Sequence, residues 1–182
     1  DGATTLGTAA SINVSSLASG SHTITASVTD AGGKTASASI TVVVNAAPTV
    51  SITAPASGSV YSPGNTITFT GTASDTEDGS LSASIVWKDG ATTLGTAASI
   101  NVSSLASGSH TITASVTDAG GKTASTTITV VVNAAPTVAI TAPASGTVYS
   151  PGDTIAFTAT AADTEDGSLS SAIVWKDGAT TL

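Results

Sequence analysis

The chain has no cysteine, no methionine and no arginine, and it has only six aromatic residues among 182. Without cysteine it forms neither disulfides nor thiolate-ligated zinc sites. Without arginine, and with four lysines scattered along the chain, it lacks the clustered positive charge that nucleic acids require. Apolar runs such as Val42–Val44 are far shorter than the roughly 20 residues of a membrane-spanning helix. We therefore expect no nucleic-acid partner and no membrane insertion.

Small side chains and negative charge dominate what is present. Ser, Thr, Ala and Gly supply 112 of the 182 residues, and twelve acidic residues against four lysines give a net charge of −8. A small, polar and acidic surface limits nonspecific association.

The sequence repeats with a period of 88 residues. The hexapeptide Asp-Gly-Ala-Thr-Thr-Leu starts at positions 1, 89 and 177, and residues 1–88 match residues 89–176 at 78 of 88 positions. Asn45-Ala-Ala-Pro48 and its copy beginning at Asn133 follow valine-rich segments, which the proline stops. We therefore expect residues 1–44 to be the C-terminal half of one repeat, residues 45–132 a complete repeat, and residues 133–182 the N-terminal half of the next.

Half a repeat leaves apolar strand faces and strand edges uncovered. We therefore expect neighbouring copies of the same repeat to complete each half, either within one chain or between chains in a filament.

Apolar and polar residues alternate within residues 45–132 at the two-residue period of a half-buried strand. Ser62–Asn65 carries Pro and Gly at the central positions of a type II turn, and Asp89-Gly90 is a hairpin signal. No stretch has helical periodicity. About seven short strands per 88 residues predict an all-β fold of tandem β-sandwiches. The residues in the inward phase are Val50, Ile52, Ala54, Ile67, Phe69, Gly71, Ala73, Ala83, Ile85, Trp87, Ile100, Val102, His110, Ile112, Ala114, Val116, Ile128, Val130 and Val132.

Three segments carry a family resemblance. Gly108–Asp118 resembles the penultimate strand of bacterial immunoglobulin-like domains and of the related domains of the polycystic-kidney-disease and cadherin types. Asp75–Gly79 and Ile85–Gly90 resemble the same families. The polycystic-kidney-disease pattern has an aromatic residue and a glycine between its Trp and its Asp-Gly, whereas only Lys88 stands there in this chain. The resemblance is therefore closer to the immunoglobulin-like type.

This resemblance implies a function as well as a fold. It implies immunoglobulin-like β-sandwiches that act as tandem extender modules of large secreted adhesins, cell-surface filaments or biofilm-matrix fibres. The alternative that it implies is a spacer or carbohydrate-binding module attached to a secreted polysaccharide-degrading enzyme. Both place the protein outside the cell, with contacts to a cell surface or a polysaccharide.

The acidic residues cluster in short loops, and this pattern predicts a cation site. Three carboxylates in one loop repel each other unless a cation lies among them, and hard oxygen ligands suit Ca²⁺. In the immunoglobulin-like topology this loop, the loop before the last strand and the entering linker meet at one end of the sandwich. We therefore expect calcium at each junction between repeats. The predicted ligands are Asn45, Asp75, Glu77, Asp78 and Asp118, with Asp30, Asn133, Asp163, Glu165 and Asp166 in the flanking halves.

The alternative is a solvated acidic turn in which Asp75 or Asp118 caps nearby backbone amides.

No constellation of nucleophile and base emerges from the sequence, so we expect no enzymatic activity. His22 and His110 lie in the inward phase of their strands, and we expect them to be packed and hydrogen-bonded. Lys34 and Lys122 each follow a Gly-Gly turn, and we expect them to serve solubility. The sequence therefore predicts a non-catalytic structural repeat of an extracellular stalk or filament.

Overall fold

A computed structural model describes residues 2, 4–178 and 180–181, so residues 1, 3, 179 and 182 at the ends of the two predicted half-repeats lie outside the described residues. The only helices among the described residues are two 3₁₀ turns, Ser82–Ser84 and Ser170–Ala172. No helix in this part of the chain is long and apolar enough to cross a membrane. The strands are β1 (Gly20–Thr29), β2 (Thr35–Val44), β3 (Thr49–Ala54), β4 (Ser59–Tyr61), β5 (Ile67–Asp75), β6 (Gly79–Ser80), β7 (Val86–Asp89), β8 (Thr92–Thr96), β9 (Ser99–Val102), β10 (Gly108–Thr117), β11 (Thr123–Val132), β12 (Thr137–Ala142), β13 (Thr158–Asp163), β14 (Gly167–Ser168), β15 (Lys176–Asp177) and β16 (Thr180–Thr181).

The chain forms two compact units. The first comprises Asp1–Ala54, Phe69–Ile100 and Thr113–Thr127, and the second comprises Pro55–Thr68, Asn101–Ile112 and Ile128–Leu182.

The first unit contains three sets of antiparallel pairs. β1 and β2 form a regular hairpin that runs from Gly20 opposite Val44 to Thr29 opposite Thr35. β3 pairs with β5, which also pairs with β6. β7 and β8 form the hairpin predicted at Asp89-Gly90, with Asp89 opposite Thr92.

The second unit contains one parallel pair. β4 runs parallel to the end of β11, with Ser59 opposite Val130 and Tyr61 opposite Val132. β12 pairs antiparallel with β13, β13 with β14, and β15 with β16.

The strands of residues 45–132 belong to two sheets. One sheet has the order β4-β11-β10-β7-β8, and in the other β5 pairs with β3, β6 and β9. Seven of the nine strands in this range have four or more residues, whereas β4 and β6 have three and two. The prediction of an all-β fold with about seven strands per repeat is confirmed.

Phe69 on β5 and Trp87 on β7 bring the two sheets together in the first unit. Their ring centroids are 5.9 Å apart and the rings are tilted by 38°. Trp87 Nε1–H donates to the carbonyl of Ala97 over 2.9 Å. Gly71 packs so tightly that an added Cβ would lie 3.2 Å from both Ile85 and Trp87. Two facing sheets with aromatic residues between them form a β-sandwich.

The alternation along β5 and β10 places their predicted inward residues in the core, except His110, which is half-buried. On β5 every second residue is buried, because one face of the strand packs inward and the other faces solvent. The buried apolar residues are Ile67, Phe69, Ala73, Ile85, Trp87, Val102, Ile112, Ala114, Val116, Val130 and Val132.

The predicted turn at Ser62–Asn65 also forms. The N–H of Asn65 donates to the carbonyl of Ser62 over 3.1 Å, and Gly64 has a φ of 80°. A type II turn requires this left-handed conformation at its third residue, and glycine adopts it without strain.

The inward strand position predicted for Ala83 is wrong. Ala83 is exposed in the 3₁₀ turn Ser82–Ser84. The Ser82 hydroxyl accepts the N–H of Ala73 over 2.9 Å, and the N–H of Leu81 donates to the Ala73 carbonyl. These bonds hold the chain in a turn until β7 begins at Val86.

Candidate functional site

The predicted ligands of the complete repeat gather where the linker enters it. Asn45 follows β2 directly, Asp75 ends β5, Glu77 and Asp78 lie in the turn before β6, and Asp118 follows β10. All five residues belong to the first unit. We call them the junction cluster.

Asp75 organises its own loop. Its side chain is 8% exposed, and Oδ1 accepts the N–H groups of Glu77 over 2.8 Å and of Asp78 over 3.0 Å. Burial raises the pKa of the Asp75 carboxyl, but hydrogen bonds from the amides of Glu77, Asp78 and Thr76 and from the Glu77 side chain lower it further, so the pKa lies below its ordinary value.

The second copy of the loop has the same organisation. Asp163 Oδ1 accepts the N–H groups of Glu165 over 2.9 Å and of Asp166 over 3.2 Å. The Glu165 amide is the main cause that lowers the pKa of Asp163. The turn is therefore built by local sequence, because both copies form it.

Glu77 and Asp78 reach out of the loop in two directions. Glu77 Oε2 accepts the N–H of Ala46 in the linker over 3.0 Å. Asp78 Oδ2 accepts the N–H of Ala119, in the loop between β10 and β11, over 2.7 Å. The acidic loop therefore connects the linker to the second loop.

Asp118 closes this network from the other side, and it is only 5% exposed. Oδ1 accepts the Lys122 N–H over 2.7 Å, while Oδ2 accepts Asn45 Nδ2–H over 3.0 Å. Lys122 Nζ donates to the Asn45 carbonyl over 2.6 Å. The linker residue Asn45 is thus bound through both its side chain and its backbone.

Asp30 shows which of these bonds are local. Asp30 occupies in the first half-repeat the position of Asp118 in the complete one. Its Oδ1 accepts the N–H groups of Gly32 and Lys34, each over 2.9 Å. The first carboxylate oxygen therefore shapes the loop in both copies, and in the complete repeat the second oxygen binds the linker.

At the second junction, within the second unit, two adjacent amides bind different repeats. The N–H of Asn133 donates to the carbonyl of Tyr61, at the end of β4, over 2.8 Å. The N–H of Ala134 donates to Glu165 Oε2 over 3.3 Å. The side chains of Asn133 and Asp166 are exposed here.

Among the residues that the structure describes, three carboxylate oxygens are buried without a hydrogen-bond partner, namely Asp75 Oδ2, Glu77 Oε1 and Glu165 Oε1. Unpartnered buried carboxylate oxygens are costly, and a cation or a proton removes that cost. Within the described ranges, no three His, Cys, Asp or Glu side chains are arranged to hold a metal ion. Calcium therefore stays a prediction that fits two protein oxygens at the first junction.

Sequence reasoning missed Lys122 and Gly120. It assigned Lys122 to solubility, whereas Nζ binds the linker carbonyl. Gly120 leaves the space that the Asn45 side chain fills. The available signal was the position of both residues in the turn that Asp118 begins, beside a predicted junction.

Each histidine is hydrogen-bonded to a nearby carbonyl as predicted, but it is half-buried and does not lie in the core. His110 Nε2 lies 2.8 Å from the oxygen of Ala106, and His22 Nε2 lies 2.8 Å from the oxygen of Ala18. Because each ring is hydrogen-bonded to the carbonyl four residues earlier, it connects the start of its strand to the preceding loop.

Comparison with known proteins gives two findings. The sequence profile of the bacterial Ig domain matches residues 48–114 and 136–181, together more than half of the chain. No curated protein matches. Fibronectin(III)-like modules of CbhA from Clostridium thermocellum are similar, with 21% identity, 66% coverage of each chain and a TM-score of 0.45. The profile match shows that the chain belongs to the bacterial Ig domain family.

Proposed function

We propose that this chain is a non-catalytic structural module of a long extracellular stalk or filament at a cell surface, such as an adhesin extender or a biofilm-matrix fibre. The observation that supports this proposal is the pair of adjacent amides at Asn133 and Ala134. One binds the repeat that ends and the other binds the repeat that begins.

Such a linker has almost no freedom of its own. β11 ends at Val132, and the next two residues are each hydrogen-bonded. At the first junction β2 ends at Val44, and Asn45 and Ala46 are both bound by the following repeat. Flexible linkers consist of unbound, solvated residues, whereas the first two residues of each linker are hydrogen-bonded. A stalk needs joints of this kind to hold a distal module away from a surface.

The proposal also includes a calcium ion at the first junction. Asp75 and Glu77 would hold the ion through Oδ2 and Oε1, the two buried oxygens without partners. A bound Ca²⁺ would supply positive charge among the carboxylates, and water would complete its six to eight oxygen ligands. The chain's own residues would still hold the linker through Glu77 Oε2 and Asp118 Oδ2.

The stiffness of the first junction is the property to measure. Because the chain has no cysteine, Ser37→Cys and Thr72→Cys place two spin labels without competing sites, at exposed positions on β2 and β5. We expect a narrow distribution of distances between the labels in a pulsed electron resonance experiment. A broad distribution in the otherwise unaltered chain would contradict a stiff stalk.

Glu77→Gln and Glu165→Gln form a matched pair for this experiment. Glu77→Gln weakens the carboxylate bond to Ala46, so we expect the distribution to broaden. Glu165→Gln weakens the corresponding bond at the other junction, so the labels at the first junction should report no change.

A binding assay with insoluble polysaccharide distinguishes the proposed stalk function from that of a carbohydrate-binding module. We expect the chain to stay in the supernatant when it is spun with insoluble cellulose or chitin. Saturable co-sedimentation would instead favour a module attached to a polysaccharide-degrading enzyme.

A further inference from the structure

The parallel pair of β4 and β11 begins with a residue that is bonded through both of its backbone groups. Ser59–Tyr61 lies opposite Val130–Val132. Just before this pair, the carbonyl of Thr129 accepts the N–H of Gly58 over 2.7 Å, and the N–H of Thr129 donates to the Ser57 hydroxyl oxygen over 3.1 Å. These bonds extend the pairing beyond the first residue of β4.

The pairing also extends past the last residue of β11. The N–H of Asn133 donates to the carbonyl of Tyr61 over 2.8 Å. Residues 57–61 and 129–133 are thus joined by the strand pairing and by hydrogen bonds at both of its ends. All of them lie in the second unit. We call these two segments the terminal ladder.

The direction of the two strands decides how the terminal ladder responds to tension. In the proposed stalk, the chain before β4 leads to the preceding repeat and the chain after β11 leads to the following one. Tension therefore draws β4 toward its first residue and β11 toward its last. Because the strands run parallel, these two residues lie at opposite ends of the pair, and the strands are pulled past each other in shear.

Shear loads the bonds of the terminal ladder together. In an antiparallel pair, the start of one strand lies beside the end of the other. The same tension would then separate such a pair from one end, and its bonds would break one after another. A parallel pair between the chain that enters a repeat and the chain that leaves it is therefore the stronger arrangement under tension.

Buried side chains oppose sliding of β11. Val130 and Val132 are 0% and 2% exposed, and a shift of one residue would turn the inward face of the strand toward solvent. β11 also lies between β4 and β10 in its sheet. Movement of β11 along its own axis therefore breaks bonds on both sides and exposes apolar surface.

We infer that the terminal ladder is the part of the repeat that carries tension along the chain, and that it resists in shear until its bonds break together. This inference rests on the proposed stalk function and deepens it, because it assigns the mechanical resistance of the module to particular residues. β3, which pairs with β5, lies earlier in the same path. Any load that β3 does not hold reaches β4 through residues 55–58.

Force spectroscopy on single molecules tests the inference, with the whole chain held at two introduced cysteines. The chain has no cysteine of its own, and Ala56, Ser62 and Asn133 are exposed. Ala56→Cys with Asn133→Cys pulls the terminal ladder from opposite ends and bypasses β3. Ser62→Cys with Asn133→Cys pulls both strands from one end. Unfolding between the attachment points releases about 25 nm of chain, which identifies the event.

We expect the rupture force to be several-fold higher when the ladder is pulled from opposite ends, because its bonds then break together. Both arrangements act on the same folded chain, so a general difference in stability does not enter the comparison. Equal rupture forces in the two arrangements would overturn the inference.

Ser57→Ala and Ser125→Ala form a matched pair. Ser57→Ala removes the oxygen that accepts the Thr129 N–H, so it should lower the rupture force in the opposite-end arrangement. It should leave the one-end arrangement unchanged, because residue 57 lies at the far end of the ladder and is not loaded first. Ser125→Ala, an exposed position on β11 outside the ladder, should change neither force. An equal loss in both arrangements for Ser57→Ala would contradict the inference.

The proposed function and this inference fail separately. A narrow distribution of label distances at the first junction together with weak resistance in shear would keep the stiff stalk and overturn the terminal ladder. A broad distribution together with strong resistance in shear would do the reverse.

Discussion

Gly120 lies directly against the side-chain amide of Asn45, so closely that a Cβ on residue 120 would collide with it. The same amide donates to Asp118 Oδ2 over 3.0 Å. The requirement for glycine here is steric, because φ is left-handed at Gly121 and not at Gly120. A missing side chain in one loop therefore makes room for the linker that enters the repeat.

Gly120→Ala should push the linker out of this space. We expect a loss of about 1–2 kcal/mol in the free energy of unfolding, since the added methyl overpacks the site and weakens the bond to Asp118. Urea denaturation of the chain measures this loss. Gly32→Ala is the control, because a Cβ there meets only Asp30 Oδ1 at 3.4 Å. Equal losses in the two variants would contradict the role given to the linker.

Trp87→Ala should cost about 3–5 kcal/mol, because it empties the largest buried side chain of the core. It also leaves the Ala97 carbonyl without the indole N–H. Urea denaturation followed by circular dichroism measures the change. Trp175→Ala should cost clearly less, because Trp175 is only partly buried. A loss below that of Trp175→Ala would show that Trp87 does not anchor the sandwich.

Acid should destabilise the folded chain through Asp75 and Asp163. The pKa of each carboxyl lies below the ordinary value of 3.8. For Asp75, burial raises the pKa but hydrogen bonds from backbone amides lower it further, and for Asp163 the Glu165 amide is the main cause of the lowering. A lowered pKa gives a stabilisation that is complete above the unfolded value and is lost as the pH falls through the folded value. Denaturation midpoints should therefore be level near neutrality and fall below about pH 4.

Asp75→Asn tests this assignment. The variant has no carboxyl to protonate at position 75, so its stability should depend less on pH across the acidic range. Asp153→Asn is the control, because Asp153 lies in an exposed turn, and this variant should keep the pH dependence of the unaltered chain. A variant with the full acid dependence would assign the effect to other carboxyls.

Calcium should raise the melting temperature if it binds as proposed. An ion that binds only the folded chain stabilises it by about 2.7 kcal/mol at a hundredfold excess over Kd. Melting curves in calcium and in EDTA measure the difference. Asp75→Asn combined with Glu77→Gln should abolish it, whereas Asp89→Asn should not. Identical curves for the unaltered chain would rule out a calcium site and assign the cluster to hydrogen bonding alone.

The sequence predicted the strands best where apolar and polar side chains alternate regularly. Ile67, Phe69 and Ala73 alternate with threonine and serine, and all three are buried on β5. The prediction of an inward strand position for Ala83 was wrong because alanine suits a core and a surface equally. The Ser82 hydroxyl stabilises a local turn there instead. β4 has three residues and depends on pairing with β11, which is distant in sequence.

The sequence predicted which residues of the candidate site lie close together, but it did not predict the hydrogen bonds between them. The acidic spacing marks Asp75 and Glu77 as loop neighbours, and the topology expected for the resembling families brings Asp118 and Asn45 to them. Which oxygen accepts which amide depends on backbone positions that side-chain patterns do not encode. Lys122 was missed for that reason, because its partner is a carbonyl of the linker.

Adjacent amides bonded to successive repeats have a consequence for symmetry. When every junction is fixed by the same bonds at the same period, each repeat is related to the next by one constant rotation and one constant translation. Repeated without closure, a constant screw operation generates a regular helix. In the proposed array, the pitch and the handedness would therefore depend on the few hydrogen bonds that each linker repeats, such as those of Ala46 and Ala134. The same substitution made at every junction would alter both.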